Sequence, residues 1–216
     1  MKKILLFVFG LCSTAIVYAQ NCDIPLIIAF NEETENMPEA SRNILANRLK
    51  QVLTSNGITG NMTIDQFALI PRYDVIDKHV TAGPPPQVTY NLSFTFAIKD
   101  LCEDRVFSTC NIDVDAVGEN ETKAFINGVR QISASSSQIQ KCMEMARAKI
   151  VSFYDRNYDI IVKKVNALAE LKKYDEALYH IMSIPECCKS YSNAMILAVS
   201  LYKNYADRNG KILLMK

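Results

Sequence analysis

The chain has 216 residues, of which 49% are hydrophobic, and a formal charge of +1 at pH 7. That hydrophobic content is typical of a packed globular protein rather than a disordered one. The near-neutral charge and the lack of a polybasic cluster argue against a protein that binds nucleic acid or an anionic membrane surface.

The N-terminus reads as a cleavable secretory signal peptide over residues 1–19. Two lysines precede the apolar stretch Ile4–Val17, and the small residues at its end predict cleavage between Ala19 and Gln20. This stretch is shorter than the roughly 20 residues that span a bilayer, and no later segment approaches that length. A retained anchor or a buried N-terminal helix is the alternative. We expect a periplasmic or secreted mature chain with 22 basic residues, 23 acidic residues and six cysteines.

The next segment alternates strands and turns with one helix. Ile24–Phe30 is rich in β-branched residues and predicts a buried strand. Pro38–Ser55 has apolar residues at three- and four-residue steps and predicts an amphipathic helix that stops at Asn56-Gly57. Gln66–Ile70 and Tyr73–Val80 predict two strands that are interrupted by a proline.

A long β-hairpin is predicted over residues 87–117. Apolar residues from Val88 to Ile98 alternate with polar ones, which is the period of a strand with one buried face. A second alternating run from Val106 to Ala116 follows the turn Leu101–Arg105. The outer face of this hairpin is expected to be partly solvated.

The remaining sequence predicts helices. One begins after the N-cap candidate Asn120, and a long one extends from Gln138 to about Leu171. Two more are predicted over Tyr174–Ser183 and Ser190–Asp207, the last of them ended by Asn209-Gly210. The predicted fold class is therefore α+β: a mixed or antiparallel sheet with packed helices, followed by an all-helical hairpin. The predicted domains are the signal peptide 1–19, an α+β domain 20–155 and a helical hairpin region 156–216.

Three resemblances refine this prediction. The strand Ile24–Phe30, the helix segment 41–45 and the turn 116–118 before a helix resemble the α+β domain of the curli-secretion type, which is similar to the N-terminal domain of TolB proteins. The stretches 83–85, 118–124 and 183–187 resemble uncharacterised secreted proteins of Bacteroides-type bacteria. Lys172–Leu178 resembles the inter-helix turn of a tetratricopeptide-type hairpin, with Ala177 at the small packing position. These resemblances imply an envelope location and a protein-binding helical unit.

Disulfides are the predicted use of the mature cysteines, because exported proteins meet an oxidising environment. Cys102 and Cys110 flank the hairpin turn and are candidates for a cross-hairpin bridge, with two buried thiols as the alternative. Cys142 is a candidate to bridge to Cys187 or Cys188. Six cysteines allow 15 full pairings, so the sequence leaves the connectivity open.

No cofactor, metal site or catalytic motif is predicted. The adjacent Cys187 and Cys188 lack zinc-knuckle spacing, and no C-x-x-C redox motif is present. His79 and His180 are read as surface or structurally satisfied residues. The acidic segment with Glu32, Glu33 and Glu35 lacks the glycine and the spacing of a calcium loop, and it is read as a solvated turn.

The function expected from these observations is that of a non-enzymatic binding or assembly protein of the cell envelope. Its partner is expected to be another protein, and the sequence identifies neither that partner nor the oligomeric state. Two alternatives stay open at this point. One is an envelope-associated hydrolase whose site joins the acidic segment to His79, and the other is a subunit of a secretion-type oligomer.

Overall fold

The structure, a computed structural model, describes residues 23–35, 37–58 and 66–214. The predicted signal peptide and its cleavage site at Ala19 and Gln20 lie outside these residues. The described elements in chain order are β1 (Ile27–Ile28), α1 (Glu32–Glu35), α2 (Glu39–Ser55), β2 (Phe67–Thr81), β3 (Gln87–Asp100), β4 (Arg105–Gly118), α3 (Glu121–Arg130), α4 (Ser137–Glu170), α5 (Tyr174–Met182) and α6 (Tyr191–Leu214).

The strands form one mixed sheet in the order β1-β2-β3-β4. β1 runs parallel to β2, whereas β2, β3 and β4 are joined by antiparallel hairpins. Along β3 every second side chain is buried, as its alternating sequence predicts. Helices α2, α3 and the first part of α4 pack together over the buried face. The predicted α+β class is confirmed.

Two predictions about the early strands are wrong. β1 is only two residues long, so Ile24 and Leu26 are buried without joining the sheet and the rest of the apolar run Ile24–Phe30 is partly exposed. β2 continues through Pro71 as one strand instead of two. β1 pairs only with Ala68 and Leu69, so Pro71 lies where β2 has β3 as its one sheet neighbour. A proline is tolerated there, because its missing N–H can face the open edge.

The junction between β4 and α3 is closely packed. The Asn120 side chain accepts a hydrogen bond from the Lys123 amide at 2.9 Å, which is the N-cap that the sequence predicts. A Cβ added to Gly118 would lie 2.2 Å from the Ala124 nitrogen, and one added to Gly128 would lie 2.7 Å from Leu92. Glycine at both positions therefore allows α3 to lie directly against the sheet.

α4 is one continuous helix of 34 residues. Its N-terminal part packs on the sheet, its C-terminal part packs on α5, and α5 packs on α6. The predicted domain boundary after residue 155 falls inside this helix. The buried apolar residues form one cluster that extends from the sheet to Leu201. The tetratricopeptide assignment of α4–α6 stays a prediction.

The predicted end of the last helix is wrong. α6 continues through Asn209-Gly210 to Leu214 instead of stopping at Asp207. A single glycine inside a helix costs only about 1 kcal/mol relative to alanine, so it does not by itself end a helix.

Candidate functional site

A cleft lies where the β3–β4 turn meets the long helix α4 and the following helix α5. Its volume is about 220 Å³. We call it the turn cleft. Its lining residues come from the turn, from α4, from α5 and from the residue before β2: Cys102, Glu103, Arg105, Phe153, Tyr154, Asn157, Ile160, Ile161, Lys164, Tyr179, His180, Ser183 and Gln66.

The floor of the turn cleft is a buried polar network centred on Asp100, the last residue of β3. Asp100 is completely buried, and its Oδ1 accepts hydrogen bonds from the amides of Cys102 at 2.8 Å and Glu103 at 3.1 Å. Its Oδ2 accepts from Gln66 Nε2 at 3.1 Å and from the Tyr154 hydroxyl at 3.3 Å. One carboxyl group thus joins the hairpin turn, the start of β2 and α4.

Tyr154 and Gln66 complete this network. Gln66 Nε2 also donates to the Tyr154 hydroxyl oxygen. Burial, followed by the charge of Asp100, raises the pKa of Tyr154, so its phenol keeps its proton and remains a hydrogen-bond donor. Buried polar groups that satisfy one another in this way rigidify the elements that carry them.

Aromatic rings form one wall of the turn cleft. The rings of Phe153 and Tyr154 are edge to face with centroids 5.2 Å apart, and Phe107 meets Phe153 at 6.0 Å. Phe107 lies at the bulge where β4 shifts register against β3, which is why it can be buried beside Ser108. The guanidinium of Arg105 lies 4.3 Å from the centre of the Phe153 ring, a cation–π contact at the rim.

The rim of the turn cleft carries more positive than negative charge. Lys164 Nζ lies 3.3 Å from the Glu103 carboxylate, and both side chains are solvent-exposed. Arg105 adds a second permanent cation. Burial, then the charge of Lys164, lowers the pKa of His180, so this imidazole is neutral at pH 7. The rim therefore presents two cations against the single carboxylate of Glu103.

The structure corrects the predicted cross-hairpin disulfide. Cys110 pairs with Phe96 in the β3–β4 ladder, whereas Cys102 lies in the turn and its Sγ contacts the Tyr179 hydroxyl. The two thiols are therefore not opposite each other.

The predicted bridge from Cys142 to Cys188 is not formed either, because both are free thiols, as are Cys102 and Cys110. Cys142 Sγ instead lies 3.3 Å from the Ser108 hydroxyl, and its pKa is lowered by the Cys110 thiol. Cys187 is not one of the free thiols.

The proposed hydrolase residues are separated. The acidic segment forms α1, where the hydroxyl of Thr34 donates to the Pro71 carbonyl at 3.0 Å. His79 is exposed near the other end of β2, and its Nε2 lies 2.7 Å from the Asp77 carboxylate. Pro71 and His79 are eight residues apart on one strand, about 26 Å at the usual rise of a strand.

Among the described residues, no three His, Cys, Asp or Glu side chains are grouped so that they could hold a metal ion. Within the same part of the chain, no helix has both the length and the apolar character needed to cross a bilayer.

No known protein family and no curated protein matches the sequence. Two solved structures are distantly similar. A minor lipoprotein of Acinetobacter baumannii is 18% identical, with a TM-score of 0.38, over 57% of this chain and 94% of the other. A protein of Caulobacter crescentus described as a lipoprotein is 11% identical, with a TM-score of 0.29, over 57% of this chain and 82% of the other. The Bacteroides, curli-secretion and TolB resemblances stay predictions.

Proposed function

We propose that the protein is an exported, non-enzymatic binding protein whose turn cleft receives a short acidic segment of a partner protein. The observation that carries this proposal is the rim of two cations beside an aromatic wall and above a rigid buried floor. The export part rests on the signal-peptide features of the sequence, from the lysine pair to Ala19.

The size of the turn cleft favours a side chain of a protein over a free small molecule. Sites for small molecules usually enclose about 300–1,000 Å³. The turn cleft has about 220 Å³, which is room for one apolar side chain or two small ones. A partner segment can place one such side chain against Phe153 and Ile161 and keep its backbone outside.

The charge at the rim favours acidic residues next to that side chain. Arg105 and Lys164 flank the opening, and Glu103 neutralises only one of them. Aspartate or glutamate residues of a partner would pair with both cations, as in other interfaces with complementary charge. The ion pair between Lys164 and Glu103 is exposed and therefore weak, so a partner carboxylate can replace it at little cost.

The hydrogen-bond network around Asp100 keeps the turn cleft in one shape, so binding does not require the cleft to reorganise. The four hydrogen bonds to Asp100 hold the turn against α4 before any ligand arrives. A preorganised site loses less entropy on binding than a flexible one. These hydrogen bonds also occupy Asp100 fully, which supports a structural role for it rather than that of a general base.

Replacing Lys164 with glutamate should weaken binding of acidic peptides about tenfold. The substitution turns an attraction at the rim into a repulsion, a change of roughly 1–2 kcal/mol for an exposed charge. The probes are synthetic hexapeptides in which one leucine or phenylalanine is flanked by aspartates, with matched peptides that carry lysines. Fluorescence anisotropy of labelled peptides gives the affinities.

The control for this experiment is Lys173→Glu. Lys173 has a similar exposed ion pair, 3.0 Å from Glu176, but it does not line the turn cleft. This variant should bind the acidic peptides as the parent protein does. Equal loss in both variants, or equal affinity for acidic and basic peptides, would count against the proposal.

Binding of the acidic peptides should also strengthen about threefold between about pH 7.5 and pH 5.5. The pKa of His180 is lowered in the free protein, and a bound carboxylate nearby raises it. Binding is then coupled to proton uptake, so the affinity increases as the pH falls through the range where the two values differ. His180→Gln should remove this increase. If the affinity of His180→Gln still increases as the pH falls, another group takes up the proton.

A further inference from the structure

Two cysteines from different elements meet beneath the N-terminal part of α4. Ser108 and Cys110 pair with Ile98 and Phe96 of β3, so both lie on the face of β4 that the helices cover. Cys142 is buried on the side of α4 that faces this strand. Its Sγ lies 3.3 Å from the Ser108 hydroxyl. Cys110 follows Ser108 by two residues on the same face of β4, and its thiol interacts with that of Cys142 and lowers its pKa.

The other free cysteines do not form such a pair. Cys102 is exposed in the hairpin turn and contacts Tyr179. Cys188 is buried, and burial raises its pKa to about 12, which suppresses its thiolate. Among the free thiols of the described residues, those of Cys110 and Cys142 influence each other's pKa.

The local chemistry favours reaction of this pair. The hydrogen bond from Cys110, with a further contribution from Ser108 and the charge of Lys149, lowers the pKa of Cys142 to about 7. A substantial fraction of Cys142 is then thiolate at neutral pH, and the thiolate is the form that attacks a disulfide. Cys110 is only partly buried and lies on β4, the last strand at its edge of the sheet, where an oxidant can reach it.

We propose that Cys110 and Cys142 form a disulfide bond when the protein meets a disulfide oxidant. The oxidant is a small-molecule disulfide or the active-site disulfide of a thiol oxidoreductase. The hydrogen bond to Cys142 raises the pKa of Cys110, so Cys110 passes its proton to the Cys142 thiolate as it attacks the oxidant. This forms a mixed disulfide and releases one thiolate, which takes the proton back from Cys142. The Cys142 thiolate then attacks Cys110 Sγ, and the second thiolate leaves and is protonated by solvent. Two protein thiols lose two electrons and two protons, and one oxidant disulfide becomes two thiols.

This bond would join the edge strand to the long helix. It closes a loop whose two cysteines are 32 positions apart in the sequence. α4 also carries Phe153, Tyr154 and Lys164 of the turn cleft, and β4 begins at Arg105 of the same cleft. The bond therefore fixes two walls of the cleft to each other. Cross-linking a loop of this length should raise the Tm by on the order of 10 °C.

The test equilibrates the purified full chain in oxidised glutathione, traps free thiols with an alkylating agent and identifies cross-linked peptides by mass spectrometry without reduction. We expect a peptide pair linked through Cys110 and Cys142, with the loss of two hydrogens. Dithiothreitol should lower the Tm of the parent protein by more than it lowers that of Cys110→Ser, because the disulfide of Cys187 is reduced in both proteins. Cys102→Ser should leave the bond and the Tm shift unchanged, because Cys102 lies outside the pair. Cys110→Ser should remove the cross-linked peptide pair and leave only the smaller fall in Tm that the disulfide of Cys187 causes.

Two results would overturn the proposal. One is alkylation of both Cys110 and Cys142 in the folded protein after equilibration with the oxidant. The other is a bond from either residue to a different cysteine. Neither result depends on whether a variant folds, because both are read from the parent protein. The outcome is also independent of peptide binding by the turn cleft.

Discussion

Replacing Asp100 with alanine should lower the free energy of unfolding by about 4 kcal/mol. The substitution removes the acceptor of four hydrogen bonds at a fully buried position. The Gln66 amide and the Tyr154 hydroxyl are then left buried with one partner fewer, and each such loss costs about 1–3 kcal/mol. The turn amides of Cys102 and Glu103 lose the group that holds them. Urea unfolding followed by circular dichroism measures the change.

The matched controls for this prediction are Asp100→Asn and Tyr154→Phe. Asparagine keeps the shape and one oxygen for the turn amides, so it should cost only about 1–2 kcal/mol. Phenylalanine at position 154 keeps the aromatic packing and loses one network hydroxyl, which should cost about 1 kcal/mol. A cost below about 1 kcal/mol for Asp100→Ala would show that the network does not hold the turn to α4.

Replacing Gly118 with alanine should lower the free energy of unfolding by about 3 kcal/mol. The added Cβ would lie 2.2 Å from the Ala124 nitrogen and 2.7 Å from its Cα. These are backbone atoms of α3, so the clash is relieved only if the whole helix moves away from β4. That movement would also loosen the contacts of Phe125 with Tyr73 and Phe94. Urea unfolding again gives the value.

Gly83→Ala is the control for this second prediction. Gly83 lies in the β2–β3 turn, and an added Cβ would meet only the Pro85 carbonyl oxygen at 3.9 Å. This is ordinary van der Waals contact, so the change should stay within about 0.5 kcal/mol. If both glycine substitutions cost the same, the close approach of α3 to β4 is not what destabilises the Gly118 variant.

The parts of the fold that the sequence predicts well are those with a strong periodic pattern. The alternation from Val88 to Ile98 predicts β3 and its buried face, and Asn120 predicts the start of α3. The errors arise where the length of a strand depends on which strands lie beside it in the sheet. Proline cannot donate a backbone hydrogen bond, so Pro71 would interrupt β2 only if neighbouring strands paired with it on both sides. Whether β1 extends as far as Pro71 depends on tertiary structure.

The turn cleft was not predicted from the sequence, because its residues come from positions between 66 and 183. One signal was present nevertheless. Asp100 continues the even-numbered positions of β3 that face the core, so a carboxyl group at that position indicates a buried polar network. Its partners Gln66 and Tyr154 are 34 and 54 residues away, and no local pattern connects them.

The pairing of Cys110 with Cys142 could not be predicted from the sequence for the same reason. Sequence spacing favours Cys102 with Cys110, because both flank one turn. The register instead places Cys110 opposite Phe96, and packing of α4 on β4 brings Cys142 to it. Contacts between a strand and a helix that follows 32 residues later depend on tertiary packing.

The proposed function requires that the turn cleft binds an acidic segment of a protein. The most direct test is a titration of ¹⁵N-labelled protein with the leucine-and-aspartate hexapeptide, followed by two-dimensional NMR. We expect saturable shift changes confined to amides of the turn cleft, such as those of Glu103, Asn157 and Tyr179. Changes confined to the outer sheet face around Ser93 and Asp113, or no change at saturating peptide, would contradict the claim.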